Sequence, residues 1–131
     1  MPEDDIPRGH YPYQAPIDAY GNGGFRFAGM SHHGSLLCLP TGMTAWAPMS
    51  PAEITLDSLR PVLEAADQID VLFFGMGADI AVLDPAIRTV FRERQVVLEA
   101  VATRSAISTY NILLAEGRKL GAALLAVERA R

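Results

Sequence analysis

Apolar and polar positions alternate with a period of two over the first third of the chain and with a period near 3.6 after Thr55, which separates a β-rich part from an α/β part. Residues 17–20, 25–29, 35–39 and 43–47 read as strands, and Gly21-Asn22-Gly23-Gly24 between the first two is a hairpin turn signal. Beyond Thr55, Leu56, Leu59, Val62 or Leu63 and Ala66 share one helical face, with Pro61 removing one backbone donor inside it. Residues 71–74 form a continuous apolar run, the pattern of a strand covered on both faces. Asp84 as N-cap and Pro85 at the first helical position start a second helix, which buries Ile87, Val90 and Phe91 and turns Arg88 and Arg92 outward. Residues 96–101 make a further strand, Thr103 caps a long helix running to about Leu120, and residues 122–127 make the last strand. The long helix presents Ala106, Thr109, Tyr110, Leu113, Gly117 and Leu120 as its buried face. Strands alternating with helices over the last two thirds predict a sheet with helices packed on it, to which the earlier strands add an antiparallel part.

A length of 131 residues suits one domain. Residues 1–16, with prolines at 2, 7, 12 and 16 and acids at Glu3, Asp4 and Asp5, read as a flexible arm, leaving 17–131 as a single α/β domain. The net charge of -4, from 11 Lys+Arg against 15 Asp+Glu, provides no basic stripe for nucleic acid. No stretch approaches the roughly 20 apolar residues of a membrane span, and MPEDDIPRGH has the character of neither a signal nor a transit peptide. The single Cys38 has no partner for an internal disulfide, so a cytoplasmic protein is expected.

Candidate chemistry concentrates where the apolar run ends at Gly75-Met76-Gly77, because α/β folds hold ligands beyond the C-terminal ends of their strands. The loop fails as a dinucleotide fingerprint, since Ile80 stands where the third glycine belongs, and Gly117-Arg118-Lys119 falls at a helix end rather than a start. Gly75 and Gly77 therefore serve either backbone geometry and close packing or the lining of a ligand pocket. Glu99, a charge within a strand, either faces a wet side or pairs with an arginine, or else stands as a polar group on a pocket wall. Free N–H groups at the helix start at Thr103 would complete an anion site if they met the glycine crevice.

Asn111 and Arg118 are seven apart, hence on one helix edge about 10 Å along the axis, and could address one partner groove; Thr109 and Glu116 share the opposite edge. Gly29-Met30-Ser31-His32-His33 nearly spells a nucleophile elbow, but His33 replaces the second glycine and a strand follows where a helix is needed. Adjacent His32 and His33 point to opposite faces of an extended chain and read as exposed turn residues; with only His10 and Cys38 to join them, no metal and no cofactor is expected.

Three strings carry a family resemblance: Tyr20-Gly21-x-Gly23-Gly24-Phe25-Arg26, Phe74-Gly75-x-Gly77, and Thr103-x-x-Ala106-x-x-Thr109-Tyr110-Asn111-x-Leu113-x-x-Glu116-Gly117-Arg118. Over residues 17–127 the chain resembles a family of small, largely uncharacterised bacterial and archaeal proteins whose eukaryotic relatives include a mitochondrial complex I assembly factor and an adipogenesis-associated protein. The resemblance implies a three-layer α/β fold with a mixed central sheet, of about five strands flanked by three helices, and an additional N-terminal β-hairpin. It implies no established enzymatic activity. The expected function is that of a non-catalytic accessory or assembly-type protein acting by protein binding, through a groove beside the long helix that includes Asn111 and Arg118; no feature sets an oligomeric state. The alternative is a small anionic ligand or nucleotide binder, with weak enzymatic activity at most, using Gly75, Gly77, Glu99 and Thr103.

Overall fold

Two sheets form, a small one inside the β-rich third and a large one that draws strands from the whole chain. The computed structural model describes residues 10–129. Strands β1 (His10–Tyr11), β2 (Ala19–Gly21), β3 (Gly24–Phe27), β4 (Met30–His33), β5 (Ser35–Leu39) and β6 (Gly42–Trp46) come first. Helix α1 (Arg60–Glu64), strand β7 (Val71–Gly75), helix α2 (Pro85–Glu93), strand β8 (Val97–Val101), helix α3 (Thr103–Ala115) and strand β9 (Leu120–Leu124) follow. The large sheet has the order β1-β6-β5-β9-β7-β8, with β7 parallel to both β8 and β9 and the other pairs antiparallel; β2-β3-β4 is a separate antiparallel sheet.

Side-chain alternation divides the core in two. Leu37 and Leu39 of β5 and Leu72 and Phe74 of β7 pack with Val62, Ile87 and Phe91 of α1 and α2 on one face. Leu36, Cys38 and Phe73 pack with Ala106, Ile107 and Tyr110 of α3 and Phe25 and Phe27 of β3 on the other. The three layers are α1 and α2, the large sheet, and α3 with the small sheet. This is the three-layer mixed fold expected, and the second helix begins as read, with Asp84 Oδ1 accepting from the Ala86 N–H at 2.9 Å and Pro85 in the first turn.

Several details differ from the sequence pattern. The hairpin gains a third strand, β4, because Ala28 and Gly29 both adopt positive φ (50° and 76°) and turn the chain back on β3. His32 is therefore buried, its Nε2 3.0 Å from the Ser35 carbonyl oxygen, while His33 faces out; only the second behaves as an exposed histidine. Residues 10–16 lie on the sheet: β1 pairs with β6, Ala15 is buried, and Gln14 Nε2 donates to the Leu120 carbonyl at 2.8 Å. The rest of the arm reading, residues 1–9, lies outside the described residues. The first helix shortens to α1 between two single 3-10 turns, with Pro61 in its first turn, where a missing N–H removes no helical bond.

The long helix stops at Ala115 instead of about Leu120. Gly117 takes φ +76°, its N–H donates to Leu114 O and the Arg118 N–H donates to Leu113 O at 3.1 Å, the paired bonds of a Schellman stop. Thr109, inside the helix, and Gly117, beyond it, are both exposed rather than core, and Leu120 opens β9.

Candidate functional site

The edge strand β8 and the helix α3 leave an open groove between them. Odd-numbered β8 residues face α3, and from β8 to the helix the groove runs over Val97, Glu99, Val71, Thr109, Leu113 and Arg118, enclosing about 520 Å³. Its floor is apolar and open at the edge strand: Val97 is 59% exposed although it belongs to a sheet strand. Glu99 and Thr109 are exposed, so this strand carboxylate is both on a wet face and on a cavity wall, and Arg118 joins it from beyond the end of α3. An apolar floor, the two carboxylates of Asp70 and Glu99 and the Arg118 guanidinium suit recognition of a mixed polar and apolar segment.

The glycine crevice is largely filled. A Cβ on Gly75 would lie 2.9 Å from Thr103 Cα and 2.9 Å from Thr103 Oγ1, so strand β7 and the start of α3 touch backbone to backbone. Thr103 is fully buried; its hydroxyl accepts from the Gly77 N–H at 3.0 Å and donates to the Leu125 carbonyl at 2.8 Å. The Met76 N–H donates to Val101 O and the Thr103 N–H to Gly77 O. The Met76, Gly77 and Thr103 N–H groups are thus spent on joining β7, β8 and α3, and Thr103 is a first-turn residue, with Ala102 at the N-cap position.

Outside this plug Gly77 borders open space at φ +103°. A smaller cavity of about 270 Å³ there is lined by Gly77, Asp79, Ala102, Arg104 and Arg129. Glu99 lines the α3 groove instead, so the four ligand candidates do not converge: Gly75 and Thr103 are in the core, Gly77 borders one cavity and Glu99 another.

Asn111 and Arg118 also separate. Asn111 Oδ1 accepts from the Ile17 N–H and its Nδ2 donates to the Ile17 carbonyl, both at 2.8 Å, so this amide clamps the chain entering β2. A seven-residue spacing shares an edge only while the helix continues, and the stop at Gly117 swings Arg118 to the β8 groove. Tyr110, next to the clamp, is fully buried and donates to the Ala15 carbonyl at 2.7 Å. Burial raises its pKa, with nearby Cys38 adding to the rise; burial likewise raises that of Cys38, and Tyr110 opposes this in part by hydrogen bonding. Both therefore stay neutral core groups, and the thiol has little nucleophilic character.

Among the described residues no cluster of three or more His, Cys, Asp or Glu could hold a metal ion, and no helix is long and apolar enough to cross a membrane. Sequence reasoning missed Val97 as a groove residue. Its signal lay in the pattern: a strand rich in apolar residues that carries a charge at its centre is a candidate edge strand.

A family model described as a protein of unknown function (DUF498/DUF598) matches residues 17–125. An uncharacterised protein of Rhodobacter capsulatus is 42% identical over 110 residues, covering 84% of this chain and 83% of its own length. NADH dehydrogenase [ubiquinone] 1 alpha subcomplex assembly factor 3 of mouse is 30% identical over 115 residues; the match takes in 88% of this chain and 62% of that longer protein. Among solved structures, one described as an outer membrane protein from Bartonella henselae superposes with a TM-score of 0.87 at 44% identity, covering 91% of this chain and all of the other.

Proposed function

Because the chain belongs to the DUF498/DUF598 family of proteins of unknown function, we propose that it is a non-catalytic accessory protein that binds another protein along the groove between β8 and α3. The observation that carries this reading is the uncovered aliphatic floor at Val97 beside an edge strand, bordered by Glu99 and Arg118. The name of the mouse relative, an assembly factor, supports an accessory role. A cytoplasmic location is part of the proposal, supported by the free, buried thiol of Cys38.

Thr109 supplies the test, since it is exposed on the groove side of α3 and no part of the core. In quantitative affinity capture from a native lysate, a protein retained by the wild-type chain should fall by roughly tenfold or more with Thr109→Arg, while the variant's melting temperature stays unchanged. Equal recovery by both proteins, or nothing recovered above background, would remove the groove from consideration.

A second reading is favoured by Arg104 and Arg129 around the open side of Gly77: a small anion held at the uncapped start of α3. Phosphate or a nucleotide at 100 times its dissociation constant should raise stability by about 2.7 kcal/mol. Absence of a thermal shift with any anion, or a shift that persists in Arg104→Ala, would count against it.

A further inference from the structure

Resting on the groove reading above, we infer that β8 is completed by an extended segment of a partner protein, added as a further strand, with acidic side chains toward α2 and aliphatic ones toward α3. The backbone provides the template. The Val97 N–H donates to Asp70 O at 2.9 Å and the Met76 N–H donates to Val101 O at 2.7 Å, which in a parallel ladder turns the polar groups of residues 97, 99 and 101 toward β7. The N–H and C=O groups of Leu98 and Ala100 therefore point away from the sheet, and among the described residues no strand lies beyond them. Two donors and two acceptors in register form the kind of edge to which an extended peptide adds.

The two faces of that edge define the side chains of the guest. Successive residues of an added strand point alternately to the α3 groove and to a second cavity, of about 340 Å³, on the α2 side. The α2 cavity is lined by Arg88, Arg92, Gln95, Val96 and Leu98. Arg88 and Arg92 are four apart on one helix face, and among the described residues no carboxylate pairs with either. Two unpaired guanidiniums beside an open strand edge favour carboxylates on the guest. Val97, Val71 and Leu113 favour aliphatic side chains on the other face.

A second copy of this chain matches poorly. Its own β8 would present Leu98 and Ala100 to the arginines, and an antiparallel pair centred on Glu99 would set two carboxylates opposite one another.

The test uses fluorescein-labelled octapeptides of alternating Glu and Val with the full-length protein, followed by anisotropy and amide hydrogen exchange. The acidic peptide should bind and slow exchange at Leu98 and Ala100. Affinity should drop by roughly tenfold or more with Arg88→Gln/Arg92→Gln, with a Lys-Val peptide, and with a peptide N-methylated at alternate positions to remove its backbone donors. No binding by the Glu-Val peptide, or equal binding by its N-methylated form to the wild-type chain, would overturn strand addition. If capture is lost with Thr109→Arg yet the Glu-Val peptide does not bind, the strand model fails and the groove reading survives; if capture finds nothing, the groove reading itself fails.

Discussion

Tyr110→Ala should lower the unfolding free energy by about 3–5 kcal/mol in urea denaturation, the range for deleting a buried ring, whereas Tyr110→Phe should cost only about 1 kcal/mol. The ring fills the core between α3 and the large sheet, against Cys38 and Met43, and its hydroxyl holds the Ala15 carbonyl. With Asn111 clamping Ile17 one residue further on, α3 fastens the segment that leads from β1 into the small sheet. The Phe variant keeps the packing and loses the hydroxyl's bond to the Ala15 carbonyl together with its weaker sulfur contacts to Met43 and Cys38, so the contrast between the two substitutions separates ring from hydroxyl. A loss below about 1 kcal/mol for the Ala variant would show that α3 does not organise this half of the core.

Gly75→Ala should destabilise by about 1–3 kcal/mol or more, the cost of adding volume to a packed interior. The new methyl would meet Thr103 Cα, a backbone atom that cannot swing aside, along with Thr103 Oγ1. Thr103→Val, of nearly the same shape, should cost about 1–3 kcal/mol by stranding the Gly77 N–H and the Leu125 carbonyl. An open crevice predicts the opposite sign for the first variant, because Ala in place of Gly lowers the entropy of the unfolded chain and stabilises wherever it fits. A rise in urea midpoint for Gly75→Ala would therefore contradict a filled junction.

The candidate site was legible in its parts and not in its grouping. Glu99 was visible as an anomaly because a charge interrupts an apolar strand, and in the structure it is exposed on a wet face and also lines a cavity, so its position fits both readings. Thr103 and the two glycines looked like a ligand loop, yet the same residue types also suit a tight junction, and only the lack of room for a Cβ on Gly75, which would lie 2.9 Å from Thr103 Cα, distinguishes the two. The pairing of Asn111 with Arg118 failed at a local signal that was present: Gly117 stands where a glycine at positive φ ends a helix.

What the amino-acid order determined by itself was local and periodic. Alternation by two and by 3.6 specified strands and helices, Asp84-Pro85 specified where α2 begins, and the charge balance argued against a nucleic-acid surface. Tertiary structure decided which strand became an edge, that His32 went inside, and that the Asn111 amide was spent on Ile17. The reason is range: periodicity reflects neighbours a few residues apart, whereas strand order and polar pairing are settled by contacts across the whole chain, such as Asn111 with Ile17, 94 residues away.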